Sequence, residues 1–145
     1  MLIGRASVID GDTLDLHGRR IRLWGIDAPE SRQVCQRKGS GWRCGQAAAL
    51  ALADRIGQRT VRCEPLDVDR WKRIVARCRQ GQDDLGRWLV RSGLALAYRS
   101  YSRDYVADEN EARAERLGLW AGSFALPWEW RRNRRAAPVV TAEAG

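Results

Sequence analysis

Histidine is nearly missing from this chain of 145 residues: His17 is the only one, and it abuts a turn glycine, which reads as a bystander. The four cysteines, Cys35, Cys44, Cys63 and Cys78, form no Cys-x-x-Cys pair and have no histidine near them, so a zinc centre is disfavoured. Long apolar stretches are also missing. The longest small-apolar run, Ala47 to Ala53, is far too short to cross a bilayer, which predicts no membrane association. The opening Met1-Leu2-Ile3-Gly4 lacks the basic segment and apolar core of a secretory leader. No internal repeat is visible. Lysine is scarce too, with Lys38 and Lys72 alone, so arginine carries the positive charge.

The chain is long enough for one domain with a hydrophobic core and too short for two. Its formal net charge of +8 favours a polyanionic partner, and guanidinium forks suit bidentate phosphate contacts. Cys35 and Cys44 bracket a Gly-rich loop. Cys63 shares a strand face with Val61, and Cys78 shares one with Ile74 and Ala76. If those strands are neighbours, the natural pairing is Cys35–Cys44 and Cys63–Cys78, against the alternative of reduced core thiols. Disulfides imply an oxidising compartment, secreted or periplasmic, with a cytoplasmic location as the alternative.

Leu2–Ile9 and Thr13–Leu16 read as strands joined by an Asp-Gly hairpin turn, and Arg20–Ile26 as a third strand after Gly18. Pro29 opens a polar loop over Ser31–Arg43. A helix from about Gln46 to Ile56 stops at Gly57. Thr60–Glu64 and Arg73–Cys78 are strands flanking a loop with Asp67, Asp69, Arg70 and Trp71. Asp83 or Asp84 can cap a helix over Leu85–Arg91, and Asp104 one over Tyr105–Leu117 with a Glu109–Arg113 pair. Five strands with interposed helices fit an α+β fold, mainly a β barrel of the OB type. The domain is placed at residues 1–123, followed by a basic extension over 124–145 whose stretch from Ala136 is a disordered tail.

Four carboxylates and one arginine stand at the ends of the first strands, in Asp10-Gly11-Asp12-Thr13 and Arg22-Leu23-Trp24-Gly25-Ile26-Asp27-Ala28-Pro29-Glu30. Converging carboxylates repel one another unless a cation or a proton intervenes. A hard, oxygen-seeking ion such as Ca²⁺ resolves the repulsion and leaves Arg22 to face an anion. An acidic pocket inside a basic surface points to phosphodiester chemistry.

The ordered set Ile9-Asp-Gly-Asp-Thr13, Arg22-Leu-x-x-Ile-Asp27-x-Pro-Glu30 and Asp69-x-x-x-Arg73 resembles the staphylococcal nuclease (thermonuclease) family. Leu89-Val-x-x-Gly-Leu-Ala95 and Gly118-Leu-Trp120 add to it, so the resemblance covers about Val8 to Trp120. It implies a five-stranded OB barrel with three helices that uses Ca²⁺ to hydrolyse DNA and RNA; a monomer is expected. On this chain it makes Asp12, Asp27 and the backbone carbonyl of Ala28 the Ca²⁺ ligands, with Asp10 in support. Glu30 would orient or deprotonate the attacking water, and Arg22 and Arg73 would bind the scissile phosphate. Tyr98 and Tyr101 fall near the family's base-contacting tyrosines.

Lys72 replaces the glycine usual before the second arginine, so a different turn is expected at Arg73. Trp71 stands where a tyrosine is common, and either stacks on a base while Arg70 meets an outer phosphate or packs within its loop. Trp128, Trp130, Arg131, Arg132, Arg134 and Arg135 read as core-sealing tryptophans and solvated arginines, with a nucleic-acid-binding arm as the alternative. The competing function is a non-catalytic nuclease-like module that binds nucleic acid or protein. A nuclease fold serving plasmid maintenance or polysaccharide production is a third.

Overall fold

The computed structural model describes residues 1–133 and 137–143. Strands β1 (Leu2–Gly4) and β2 (Ser7–Asp10) replace the single strand expected over Leu2–Ile9, because the chain turns a corner at Arg5-Ala6 and changes partner. Strand β3 (Thr13–Leu16) lies where the alternation places it, and β4 (Arg19–Leu23) follows through a two-residue turn. His17 and Gly18 both take positive φ in that turn, 53° and 84°, which matches the twist of the flanking strands. Strand β4 stops before Gly25, which turns at φ 79° just after the Trp24 N–H makes the last ladder bond, to the Ala76 carbonyl. Residues 26–27 then form a separate strand, β5 (Ile26–Asp27).

The polar loop expected over Ser31–Arg43 is instead a hairpin of β6 (Cys35–Arg37) and β7 (Ser40–Trp42). Lys38 and Gly39, both at positive φ, make its turn. Helix α1 (Cys44–Ile56) ends at Gly57, φ 57°, as its sequence predicts. Strand β8 (Val61–Val68) pairs with β9 (Ile74–Gln80) and sets Cys63 opposite Cys78. Both expected disulfides, Cys35–Cys44 and Cys63–Cys78, are present.

After the short strand β10 (Asp83–Asp84), Asp84 caps α2 (Leu85–Arg91) by accepting the Arg87 N–H. Strand β11 (Leu96–Ala97) pairs with β5. Helix α3 (Val106–Ala114) is shorter than predicted, and its N-cap position falls on Tyr105, which makes no side-chain cap bond; the carboxylate of the expected cap, Asp104, is drawn to Arg77. The Glu109–Arg113 pair does not form: Glu109 accepts from Ala97 N–H and Arg99, and Arg113 donates to the Ala142 carbonyl.

The main sheet has seven strands in the order β1-β8-β9-β4-β3-β2, with β10 beside β9. It is not closed by a hydrogen-bonded ladder, which departs from the five-stranded barrel implied above. Its two end strands are nevertheless consecutive in the chain, separated by residues 5 and 6, so the sheet has to curl to bring its ends near each other. The concave face buries Leu14, Ile21, Leu23, Val61 and Ala76 against Leu52 and Ile56 of α1 and Leu85 and Leu89 of α2.

Beyond position 123, β12 (Phe124–Ala125), α4 (Pro127–Arg132) and β13 (Val139–Val140) continue the chain. Strand β13 pairs with β12, so the disordered tail expected from Ala136 does not extend to residues 139–140; their β-branched side chains suit pairing. Arg134, Arg135 and Ala136 lie outside the described residues, as do residues 144–145.

Candidate active site

Asp12 and Asp27 lie under one arginine because the β3–β4 register puts Thr13 opposite Arg22 and the chain returns past that point as β5. Arg22 Nη2 donates to Asp27 Oδ1 at 3.2 Å. Arg22 Nη1 lies 2.9 Å from Asp12 Oδ2, an ion pair without hydrogen-bond alignment. Asp12 Oδ2 also accepts the Ala28 N–H at 2.9 Å, and its Oδ1 accepts the Thr13 hydroxyl at 3.1 Å. Gly11, read as a turn residue, has negative φ. It matters through close approach, since a Cβ there would stand 2.8 Å from Ala28 Cβ and 2.9 Å from Ala48 Cβ.

Burial would push the Asp12 carboxyl up, but Arg22 and three hydrogen-bonded neighbours outweigh it and hold the group below its usual range. Asp10 goes the other way. Burial, then the charge of Asp12, raise it to about 7. Asp27, fully buried, is raised to about 6 by burial, in spite of its guanidinium partners.

A cleft of about 780 Å³ opens above these groups. Asp10, Asp12, Arg22 and Glu30 line its acidic side, and Arg70, Trp71 and Arg73 face them from the β8–β9 loop. Tyr98 and Tyr101 also line it, with ring centroids 5.4 Å apart. Asp27 and Ala28 are buried beneath. The sequence-predicted residues thus converge on one place.

The turn that delivers Arg73 survives the loss of glycine: Lys72 itself takes φ 65°. Such a conformation costs a non-glycine residue about 1–2 kcal/mol. Asp69 braces the turn, accepting from Trp71 N–H and Arg73 N–H at 2.9 Å each and from Arg73 Nε at 2.7 Å. Trp71 projects into the cleft and touches neighbours in its own loop through stacked guanidiniums. It is 64% exposed, with the Arg70 and Arg73 guanidiniums 4.4 and 5.4 Å from its ring centroid.

The sequence reading named Arg131 without placing it in the cleft. Arg131, expected to be solvated, reaches back from α4 and donates through Nη1 and Nη2 to Asp27 Oδ1 and Oδ2 at 3.1 and 2.8 Å. Its Nη1 also donates to Glu30 Oε1 at 2.6 Å. Trp128, one helical turn earlier, stacks at 5.3 Å on Tyr98. The signal was local: Pro127 opens a helix, and a Trp-x-x-Arg spacing puts both side chains on one face. Nothing local says which surface that face meets.

The donors suit a hard divalent cation, being oxygen only, and Asp10 and Asp12 lie close enough to repel, which such a cation would relieve. Among the described residues, however, no three histidine, cysteine or acidic side chains are grouped to hold a metal ion. On Asp27 the compensating charge comes from two guanidiniums.

A family profile described as staphylococcal nuclease homologue matches residues 20–122. Succinoglycan biosynthesis protein ExoI of Rhizobium meliloti (strain 1021) is 40% identical over 82% of this chain and 64% of its own length. This chain therefore spans less than two thirds of that relative. Protein ParB of Escherichia coli is 36% identical over 88% of this chain and 79% of its own length. A micrococcal nuclease of Shigella flexneri is 35% identical over 90% and 80%.

Proposed function

The chain belongs to the staphylococcal nuclease family, and on that premise we propose that it is a Ca²⁺-dependent, sugar-nonspecific nuclease leaving 3′-phosphate ends. The observation that carries this reading is the meeting of Asp12, Arg22, Glu30 and Arg73 around one cleft. Asp12, Asp27 and the carbonyl of Ala28 would hold the ion, with Asp10 beside them. Once bound, it supplies positive charge against the phosphate oxygens and electrophilic activation of phosphorus.

The remaining work falls to the chain's own groups. Glu30 orients a water and takes its proton as the oxygen attacks phosphorus in line with the departing 5′ oxygen. Arg22 and Arg73 clamp the non-bridging oxygens and stabilise the charge that grows on them and on the leaving oxygen. Each such preorganised donor is worth roughly 3 kcal/mol, about two orders of magnitude in rate. Arg70, Trp71, Tyr98 and Tyr101 would meet phosphate and π-faces rather than base edges, which gives weak sequence preference. We take the enzyme to act as a monomer. The two disulfides favour a secreted or periplasmic location.

Plasmid digestion with Ca²⁺, with EGTA, and with Glu30→Gln tests the reading. Wild type is expected to cleave only with Ca²⁺, and the variant to be slowed at least about 100-fold. Absence of Ca²⁺-dependent cleavage under both reducing and non-reducing conditions would point to the non-catalytic binding module. Full activity of Glu30→Gln would keep the nuclease and reject this mechanism.

A further inference from the structure

The contact between Arg131 and Glu30 conflicts with the role given to Glu30. A carboxylate held 2.6 Å from a guanidinium has one oxygen already occupied and is poorly placed to orient a water. The same guanidinium covers both oxygens of Asp27, which the divalent cation needs. A cation on Asp27 would confront Arg131 with like charge in a partly desolvated place, where repulsion is strong.

Arg131 can move while its helix stays. Helix α4 is pinned by the buried Pro127 and by the stacking of Trp128 on Tyr98. The Arg131 side chain is 39% exposed and lines the cleft, so it has open space on one side. Once driven off Asp27 and Glu30, it would meet the backbone phosphates of a nucleic acid entering the cleft. A guanidinium fork fits a phosphate as well as it fits a carboxylate.

We propose that Arg131 is a third phosphate-binding arginine of this cleft, held on Asp27 and Glu30 in the absence of a divalent cation and passed to a nucleic-acid phosphate when a cation takes Asp27. The inference rests on the nuclease reading above. It makes the C-terminal helix part of the substrate site, and it makes Arg131 and the cation alternative partners of one carboxylate.

Calorimetric titration of Ca²⁺ without nucleic acid, and KM for a single-stranded oligonucleotide across a salt series at saturating Ca²⁺, test it on wild type and Arg131→Gln. Removing the competing guanidinium is expected to tighten Ca²⁺ binding about tenfold. Losing the phosphate contact is expected to raise KM about tenfold with kcat changed less than about threefold, and to lower the slope of log KM against log salt by about 0.7. A purely structural role would not move that slope.

Unchanged Ca²⁺ affinity, or an unchanged KM and salt slope, overturns the proposal while leaving the nuclease intact. A wild type that neither binds Ca²⁺ nor cleaves removes both. If Arg131→Gln does not fold, Arg131→Lys carries the test. One ammonium cannot fork across Asp27 and reach Glu30 at once, so Ca²⁺ should still bind several-fold tighter with the salt slope retained. Wild-type Ca²⁺ affinity in that variant refutes the idea.

Discussion

Asp10 and Asp12 stand two positions apart in the turn and shift in opposite directions. Asp12 is anchored by Arg22 and the Ala28 N–H, whereas Asp10, with burial and the charge of Asp12 against it, stands at about 7. A folded state that holds this proton more tightly than the unfolded chain binds more protons between the ordinary 3.8 and about 7. Stability from this group is therefore present at low pH and is lost as pH rises through that window. Thermal unfolding in EGTA should show a midpoint that falls from pH 5 to pH 8, and Asp10→Asn should flatten that fall. The candidate residues were legible because each is a motif letter at a fixed spacing. Their unequal charge states were not, since these depend on burial and on partners 10 to 16 positions away.

Elements carry a different kind of information. Helix α1 begins with Cys44-Gly45 against the turn that holds Glu30, and a Cβ at Gly45 would overlap the Glu30 carbonyl. Gly45→Ala should therefore push the Glu30 segment away. The expected outcome is a cleavage rate lowered at least about tenfold with Ca²⁺ affinity much less affected, checked by paired kinetics and calorimetry. Strand β3, the stop of α1 at Gly57 and the cap at Asp84 could all be read locally, since period, glycine and cap act within a few residues. The break after Leu23, the hairpin inside the expected loop and the cap of α3 could not. Each goes with a partner elsewhere in the chain: the Tyr98 N–H for the Gly25 carbonyl, Ser123 for Gln36, Arg77 for Asp104.

At the scale of the molecule, the two disulfides tie different parts of the architecture. Cys63–Cys78 links neighbouring strands of the main sheet, and Cys35–Cys44 ties the β6–β7 hairpin to the start of α1 beside Glu30. Closing a span of 15 residues removes chain entropy worth about 3 kcal/mol from the unfolded state. Urea unfolding with and without dithiothreitol should differ by at least about that amount, and a reduced protein equally resistant to urea would show the bonds to be dispensable.

By itself the sequence determined the family and the identity of the acidic and basic groups. Those properties reside in residue types at short, ordered spacings, and the strand and helix periods that present them act within a few residues. The tertiary structure alone decided that the sheet curls without a closing ladder, that Lys72 can hold a glycine's conformation, and that Arg131 meets Asp27 from 104 positions away. Such outcomes turn on which surfaces come together. A guanidinium on a solvated helix and one lodged among carboxylates have the same sequence, and only the packing of α4 against the cleft tells them apart.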